Sequence, residues 1–272
     1  MTRRNLKIAP PFMPCRSTLM VMSGLILLAL LSCSQRLPHV YPSRQPVSHT
    51  SWDSLLHQYV SEEGWVSYQG FIQDSLRLNR YLDLLASAHP QSTWSEKEQM
   101  AYWINAYNAF TVRLIVRHYP VNSIKDIKRG IPFVNTVWDI PFIHLQSETY
   151  DVNQIEHGIL RKQFKDARIH AVINCASYSC PRLSREAYVA ERLDDQLTDA
   201  MTTFIHDPLR NRIVLSSVQV SSIFKWFGGD FRRDAGSLRK FLNRYLEYPI
   251  PGEVEIEYLD YDWSLNDSKA KQ

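Results

Sequence analysis

Glycine is scarce in this chain, with 9 glycines among 272 residues. Neither G-x-G-x-x-G nor G-x-x-x-x-G-K-[ST], the two common nucleotide-binding loops, occurs in the sequence. The first 32 residues contain no acidic side chain but four basic ones, and without those four, 27 basic side chains face 28 acidic ones. That near-neutral remainder gives no electrostatic reason to expect a nucleic-acid partner.

Long apolar runs are also missing. The longest, residues 17–31, falls short of the roughly 20 residues that a membrane-spanning helix needs. Basic residues precede it, as they precede the apolar part of a secretory signal. It ends in Leu30-Leu31-Ser32-Cys33, which resembles a bacterial lipobox. The sequence therefore predicts a lipoprotein signal peptide over 1–32 and a lipid (palmitate) on Cys33; the alternative is an ordinary signal peptide followed by an incidental cysteine.

The segment after Cys33 has the composition of a tether. Prolines recur at 38, 42 and 46 among serine, histidine and glutamine, which favours an extended linker over 33–50. Serine rather than aspartate follows Cys33. By analogy with enteric bacteria, we expect a lipid-anchored protein of the cell envelope, held in the bilayer through acylated Cys33 at the outer membrane and facing the periplasm.

The rest of the chain has ordinary globular composition, with 44% hydrophobic and 22% charged residues. We predict a single globular domain over 51–265 and a polar tail over 266–272. Helical patterns outnumber extended ones and do not alternate with them regularly, so we expect an α+β fold: a helix-rich domain packed on a small, mainly antiparallel sheet. Helices are predicted near 52–60, 71–86, 96–118, 152–164, 184–205, 222–231 and 237–248, and strands at 168–174, 212–215 and 254–261.

Two cysteines remain for the folded domain. Cys15 leaves with the signal and Cys33 carries lipid, so only Cys175 and Cys180 are left. A cysteine nucleophile needs a base that removes its proton and a third group that orients the base. Candidate partners for Cys175 are Glu156 and His157 on one predicted helix, and His170 on the predicted strand that leads to Cys175.

Spacing selects between the two histidines. Along a straight strand His170 and Cys175 would be roughly 16 Å apart, at about 3.3 Å per residue, and on opposite faces. His157 escapes this objection, because its helix can pack beside the end of the strand. We therefore predict Cys175 as nucleophile and His157 as base, with Glu156 or Asp230 holding the histidine.

Other interpretations of the cysteines stay open. Cys175 could instead be a small core residue, because free cysteines are often buried. A Cys175–Cys180 disulfide is permitted in an oxidising compartment, although the short loop is geometrically demanding. A zinc site would need a second pair of ligands, and none is evident. A redox role has little support, because the pair lacks the C-x-x-C spacing.

Three further polar residues are candidates for a structural or catalytic role. Asn105 and Asn108 lie on the apolar helix predicted over 96–118, where a buried amide must find partners. They either brace a loop, or one of them donates to an oxyanion. Asp230 lies among aromatic residues and either orients a histidine or pairs with an arginine such as Arg161.

Five motifs in order resemble the domain-of-unknown-function family numbered 547, which occurs in bacteria and plants. They are Trp103-Ile-Asn-Ala-Tyr-Asn-Ala109, Ile155-Glu-His-Gly-Ile-Leu-Arg161, His170-Ala-Val-Ile-Asn-Cys175, Ser179-Cys-Pro-Arg-Leu183 and Ile223-Phe-Lys-Trp-Phe-Gly-Gly-Asp-Phe231. The resemblance implies a papain-like fold with permuted order. In this sequence the histidine precedes the cysteine, the reverse of papain itself. The resemblance also implies Cys175 as nucleophile and His157 as base.

These observations predict an envelope lipoprotein with a cysteine-dependent hydrolase or acyltransferase site. Cys175 would attack an amide or ester carbonyl, and Asn105 with nearby backbone N–H groups would stabilise the oxyanion. We expect no cofactor, and a peptide or peptidoglycan substrate on grounds of location. The alternative is a non-catalytic peptide-binding or scaffold lipoprotein, in which the same residues fix the fold.

Overall fold

The computed structural model describes residues 45–128 and 136–271. The predicted signal peptide, Cys33 and the tether up to residue 44 lie outside the described residues. Within the part that is described, no helix is long and apolar enough to cross a membrane.

A long buried helix organises the N-terminal half. Helices α1 (Thr50–Tyr59), α2 (Tyr68–Gln73) and α3 (Ser75–Ser87) pack with one another, and α2 and α3 pack against α4 (Glu96–His118), the helix predicted over 96–118. A capping box begins α4: Ser95 Oγ accepts a hydrogen bond from the Glu98 N–H at 3.2 Å, and the Glu98 carboxylate accepts one from the Ser95 N–H at 2.6 Å.

Two small sheets accompany the helices. Strands β1 (Ile143–Leu145) and β2 (Glu148–Tyr150) form an antiparallel hairpin. The second sheet pairs β3 (Arg212–Val214) with β4 (Ser217–Ser221) antiparallel, and β4 with β5 (Ile256–Leu259) parallel. The expected α+β class with small, mainly antiparallel sheets is confirmed.

The remaining helices belong to the C-terminal half. They are α5 (Leu193–His206), α6 (Ser222–Trp226), α7 (Gly228–Ala235) and α8 (Leu238–Leu242). Their apolar side chains form a cluster with strand β4, while a larger cluster surrounds α4. Four predicted helices differ from the structure: 71–86 is split at Asp74, 222–231 is split at Phe227, 237–248 ends at Leu242, and the segment 184–189 is not helical.

The segment between α4 and α5 holds the most consequential difference. A π-helix, Gln154–Phe164, covers most of the helix predicted over 152–164. The predicted strand 168–174 is wrong, because residues Ala167–Ala171 form a 3₁₀ helix. A short apolar run cannot distinguish a buried strand from a buried helical turn. The Asp166 side chain favours the turn by accepting a hydrogen bond from the Arg168 N–H at 2.9 Å.

The helical turn removes the objection to His170. A 3₁₀ helix rises only about 2.0 Å per residue, so the estimate of roughly 16 Å between His170 and Cys175 does not apply. The argument that placed the two side chains on opposite faces of a strand is wrong for the same reason.

The C-terminal residues are part of the core. Asn266 and Asp267 fall in the segment predicted as a polar tail, yet both are buried. The Asn266 N–H donates to the Ala176 carbonyl at 3.1 Å, and the Val66 N–H donates to the Asn266 carbonyl at 3.0 Å. The end of the chain therefore packs directly against the loop that follows Cys175.

Candidate active site

One cavity of about 190 Å³ brings most of the predicted site residues together. Its lining includes Cys175, Glu156, His157 and His170, and also Cys180. Aromatic side chains form much of the remaining wall: Tyr107, Trp138, Trp226, Phe227, Tyr261 and Trp263. The cavity is thus a small apolar pocket with a few ionisable groups facing it, which is the usual composition of a ligand site.

The loop that carries Cys175 is held from α4. The Asn108 side chain donates to the Val172 carbonyl at 2.8 Å and accepts from the Asn174 N–H at 2.9 Å. The Asn174 side chain in turn accepts from the Ala176 N–H at 2.9 Å. These bonds fix the backbone on both sides of Cys175, so Asn108 has the bracing role that was one of its two predicted roles.

Ala176, directly after Cys175, adopts a left-handed conformation with φ of 64°. A non-glycine residue in this region carries strain of about 1 kcal/mol or more, and such residues concentrate at functional sites. The buried hydrogen bonds around Ala176 offset the strain. The resulting sharp turn presents the Cys175 side chain to the cavity.

Three polar groups surround the Cys175 sulfur. It lies 3.2 Å from Cys180 Sγ, 3.1 Å from Ser177 Oγ and 3.4 Å from the Tyr261 hydroxyl. When Cys175 ionises, all three can donate a hydrogen bond to the thiolate. The Cys180 contact is the largest effect, and with the two hydroxyls it outweighs burial and lowers the pKa of Cys175 from 9.0 to about 6.

Cys175 and Cys180 are both free thiols. Their sulfur separation of 3.2 Å exceeds the roughly 2.05 Å of a disulfide bond. Cys180 is 3% exposed, and burial together with its contact with Cys175 raises the pKa of the Cys180 thiol. The pair therefore consists of one acidic, partly exposed thiol and one buried thiol that keeps its proton.

His170, which lines the cavity, forms a buried pair with Asp230. His170 Nε2 lies 2.9 Å from Asp230 Oδ2, and the imidazole stacks on Phe227 with ring centroids 4.0 Å apart. Burial lowers the pKa of His170, and the hydrogen bond to Asp230 opposes the shift. A neutral His170 that donates from Nε2–H keeps its lone pair on Nδ1, as a general base requires.

Asp230 fills both roles that the sequence left open. Its Oδ2 also accepts from Arg161 Nε at 2.7 Å, and its Oδ1 accepts from Arg233 at 3.0 Å. Burial alone would raise the pKa of Asp230, but the bonds from His170 and Arg161 outweigh it and hold the pKa far below the ordinary value. Asp230 thus orients the histidine and pairs with the arginine at once.

His157 lies at the edge of the cavity with 43% of its side chain exposed. Its Nδ1 is 3.1 Å from an N–H group of Arg161. Since a guanidinium only donates, Nδ1 accepts and the proton of the neutral ring is on Nε2. Burial and the Arg161 charge both lower the pKa of His157. In this tautomer His157 can donate a hydrogen bond from Nε2–H, while its acceptor nitrogen is occupied by Arg161.

Glu156 is a buried carboxyl in the same cavity. Its Oε2 accepts a hydrogen bond from the Tyr107 hydroxyl at 3.3 Å. Burial, followed by the charge of Cys175, raises its pKa from 4.5 to about 7. The pKa of Cys175 is thus lowered and the pKa of Glu156 is raised, so near neutral pH a thiolate and a carboxylic acid coexist in one cavity.

The structure does not bring Asn105 to the cavity. Its side chain donates to the Tyr188 carbonyl at 2.7 Å and accepts from the Tyr188 N–H at 3.0 Å. Asn105 is fully buried, and these bonds connect α4 to the segment before α5. This geometry matches the bracing role weighed for Asn105, not that of an oxyanion donor beside Cys175.

Sequence reasoning missed Ser177 and Tyr261. Ser177 belongs to the cysteine loop, so its closeness to Cys175 was available from sequence. Tyr261 is 86 residues beyond Cys175 and was assigned to the end of an edge strand; no local pattern could place it at the sulfur. Its ring lies 4.5 Å from that of Trp263 and 4.8 Å from that of Trp226.

A zinc site was weighed for the cysteines. Within 45–128 and 136–271, no three histidine, cysteine or acidic side chains are grouped as metal ligands would be. The two cysteines contact hydroxyl groups and each other instead.

Comparison with known proteins gives one finding. Residues 91–205 match the model of a family described as "Protein of unknown function, DUF547", which confirms the resemblance carried by the sequence motifs. Searches of curated proteins and of solved structures find no match. The matched segment contains both histidines and both cysteines of the cavity, whereas Asp230 and Tyr261 lie beyond it.

Proposed function

We propose that this chain, whose residues 91–205 match the DUF547 family model, is a thiol-dependent hydrolase or acyltransferase with Cys175 as its nucleophile. The observation that carries the proposal is the acidic thiol of Cys175, surrounded by three potential hydrogen-bond donors and open to a cavity. Reactive cysteines occupy such partly exposed environments that lower the thiol pKa, whereas structural cysteines do not. The papain-like fold that the resemblance implies stays a prediction.

The reaction would start from the thiolate. Cys175 Sγ attacks the carbonyl carbon of an ester or amide and forms a tetrahedral adduct. The adduct collapses to a thioester on Cys175, and the alcohol or amine leaves with a proton. Glu156, protonated up to about pH 7, can supply that proton from within the cavity.

The second step needs a base. Water, or the acceptor in an acyltransferase, must lose a proton as it attacks the thioester. His170 suits this step because Asp230 fixes its Nε2–H and leaves Nδ1 as the acceptor. We therefore propose His170 as the base in place of His157, whose Nδ1 is occupied by Arg161.

The wall of the cavity favours an apolar or ring-bearing group next to the scissile bond. Trp226, Tyr261 and Trp263 contact one another, and Trp226 is 49% exposed. Exposed aromatic faces bind apolar chains and flat rings. An envelope peptide or peptidoglycan fragment is the substrate class that fits the proposed location.

The test uses p-nitrophenyl acetate and follows nitrophenolate release. A thioester intermediate predicts a burst of one equivalent followed by a slower steady rate. Cys175→Ala should abolish both phases. His170→Ala should keep the burst and slow the steady rate by about 10²-fold or more, while His157→Ala should change it by only a few fold. A Cys175→Ala variant as active as wild type would exclude Cys175 as the nucleophile. A wild-type protein that releases nitrophenolate no faster than buffer would exclude the proposal and favour the non-catalytic binding lipoprotein.

We also propose that Cys33 carries the lipid anchor and that the domain faces the periplasm from the outer membrane. The support is the basic and apolar leader that ends in Leu-Ser-Cys. In cells fed labelled palmitate, the wild-type protein should take up label and sediment with membranes, and Cys33→Ser should do neither. Label on Cys33→Ser would contradict the assignment.

A further inference from the structure

The two cysteines of the cavity have unequal access. Cys175 is partly exposed and lines the opening, whereas Cys180 is 3% exposed. Their sulfurs are 3.2 Å apart, so about 1.2 Å of approach would bring them to disulfide distance. A bulky reagent in the cavity therefore reacts with Cys175 before Cys180. The Cys180 sulfur is already in contact with the Cys175 sulfur that would be modified.

A backbone N–H group can stabilise a thiolate on Cys180. The Cys175 N–H donates a hydrogen bond to Cys180 Sγ at 3.0 Å. A thiolate on Cys180 would accept the same bond and be stabilised by it. The negative charge of Cys175 is one of the effects that keep Cys180 protonated. That charge disappears once Cys175 forms a bond to another sulfur, so modification of Cys175 makes Cys180 easier to ionise.

We propose that Cys175 and Cys180 are an attacking and resolving pair, which forms a reversible disulfide by exchange with small-molecule disulfides. The Cys175 thiolate attacks one sulfur of RS–SR, forms Cys175–S–S–R and releases RS⁻, which takes a proton from water. Cys180 then loses its proton, and its thiolate attacks Cys175 Sγ and releases the second RS⁻. Two thiols are oxidised, and one RS–SR is reduced to two RSH.

Oxidation would switch off the proposed acyl transfer, because the disulfide removes the thiolate of Cys175. It would also protect that sulfur, since a disulfide is reversed by thiols whereas sulfinic and sulfonic acids are not. Only this consequence for catalysis rests on the proposed function. The exchange chemistry itself needs no acyl substrate and is measured without one.

The experiment incubates the purified protein with glutathione disulfide, quenches with acid, alkylates free thiols and digests with trypsin. Cleavage after Arg168 and Arg182 yields one peptide that contains both cysteines. In the wild type this peptide should lose two hydrogens, resist alkylation and recover both thiols with dithiothreitol.

Two variants separate the steps. Cys180→Ser should stop with one glutathione on Cys175, and Cys175→Ser should leave Cys180 unmodified over the same time. A wild-type peptide that keeps glutathione on Cys175 without forming the internal bond would overturn the proposal, as would one with no reaction. The wild-type result decides even if a variant fails to fold. A protein that forms the bond but releases no nitrophenolate would refute the acyl-transfer function and leave the exchange pair intact.

Discussion

Glu156→Gln is expected to be more stable than wild type at neutral pH and as stable as wild type at acidic pH. Glutamine resembles the neutral carboxyl in shape and cannot ionise. Glu156 is 9% exposed, and its pKa is raised from 4.5 to about 7. The substitution therefore removes a buried charge only in the pH range where wild type carries it.

The sign and size follow from proton linkage. A raised native pKa means that the native state holds its proton more tightly than the unfolded state. Wild-type stability from this group is complete below pH 4.5 and is lost as the pH rises to about 7. At about 1.4 kcal/mol per pKa unit, the loss reaches at most about 3 kcal/mol. Glu156→Gln should match wild type near pH 4.5 and exceed its free energy of unfolding by up to that amount above pH 7.

Urea unfolding from pH 4.5 to 8 measures the difference. The matched control is Glu253→Gln, the same substitution at an exposed position. A gap between Glu156→Gln and wild type that does not change with pH would refute the reasoning, as would one that shrinks as pH rises.

Three other substitutions test the geometry. Asn105→Ala should cost about 2–4 kcal/mol in urea unfolding, since both Tyr188 backbone groups lose their buried partner; a loss of nitrophenolate release with unchanged stability would instead favour an oxyanion role. Asp230→Asn should cost about 3–5 kcal/mol by the same assay, because Arg161 loses its buried carboxylate; a change below 1 kcal/mol would contradict the ion pair. Ser177→Ala should raise the Cys175 pKa by about one unit in alkylation profiles, and an unchanged pKa would remove Ser177 from the site.

Local signals in the sequence predicted local structure well. The apolar helix predicted over 96–118 has the bounds of α4, because a helix start, such as the capping box at Ser95, and a helical pattern depend on residues close in sequence. Glu156 and His157 of the predicted helix line the same cavity as Cys175, and their action on the thiol stays a prediction.

The errors came from features that adjacent residues do not determine. The run around Ile169 has the composition of a strand, yet it forms a 3₁₀ turn because of the hydrogen bonds made at its start. Because this segment was predicted as a strand, the distance estimated along it wrongly excluded His170 as a partner of Cys175. Tyr261 and Asp230 reach the site only through the folding of the C-terminal half, so no motif near Cys175 could reveal their contacts.

The most direct test of the central claim is the pH dependence of Cys175 alkylation by iodoacetamide, followed on the peptide that carries it. The rate should reach half its maximum near pH 6, because contacts with Cys180, Ser177 and Tyr261 lower the thiol pKa to about that value. A half-maximum near pH 9, the ordinary value of a thiol, would contradict the claim that this cavity holds a reactive thiolate.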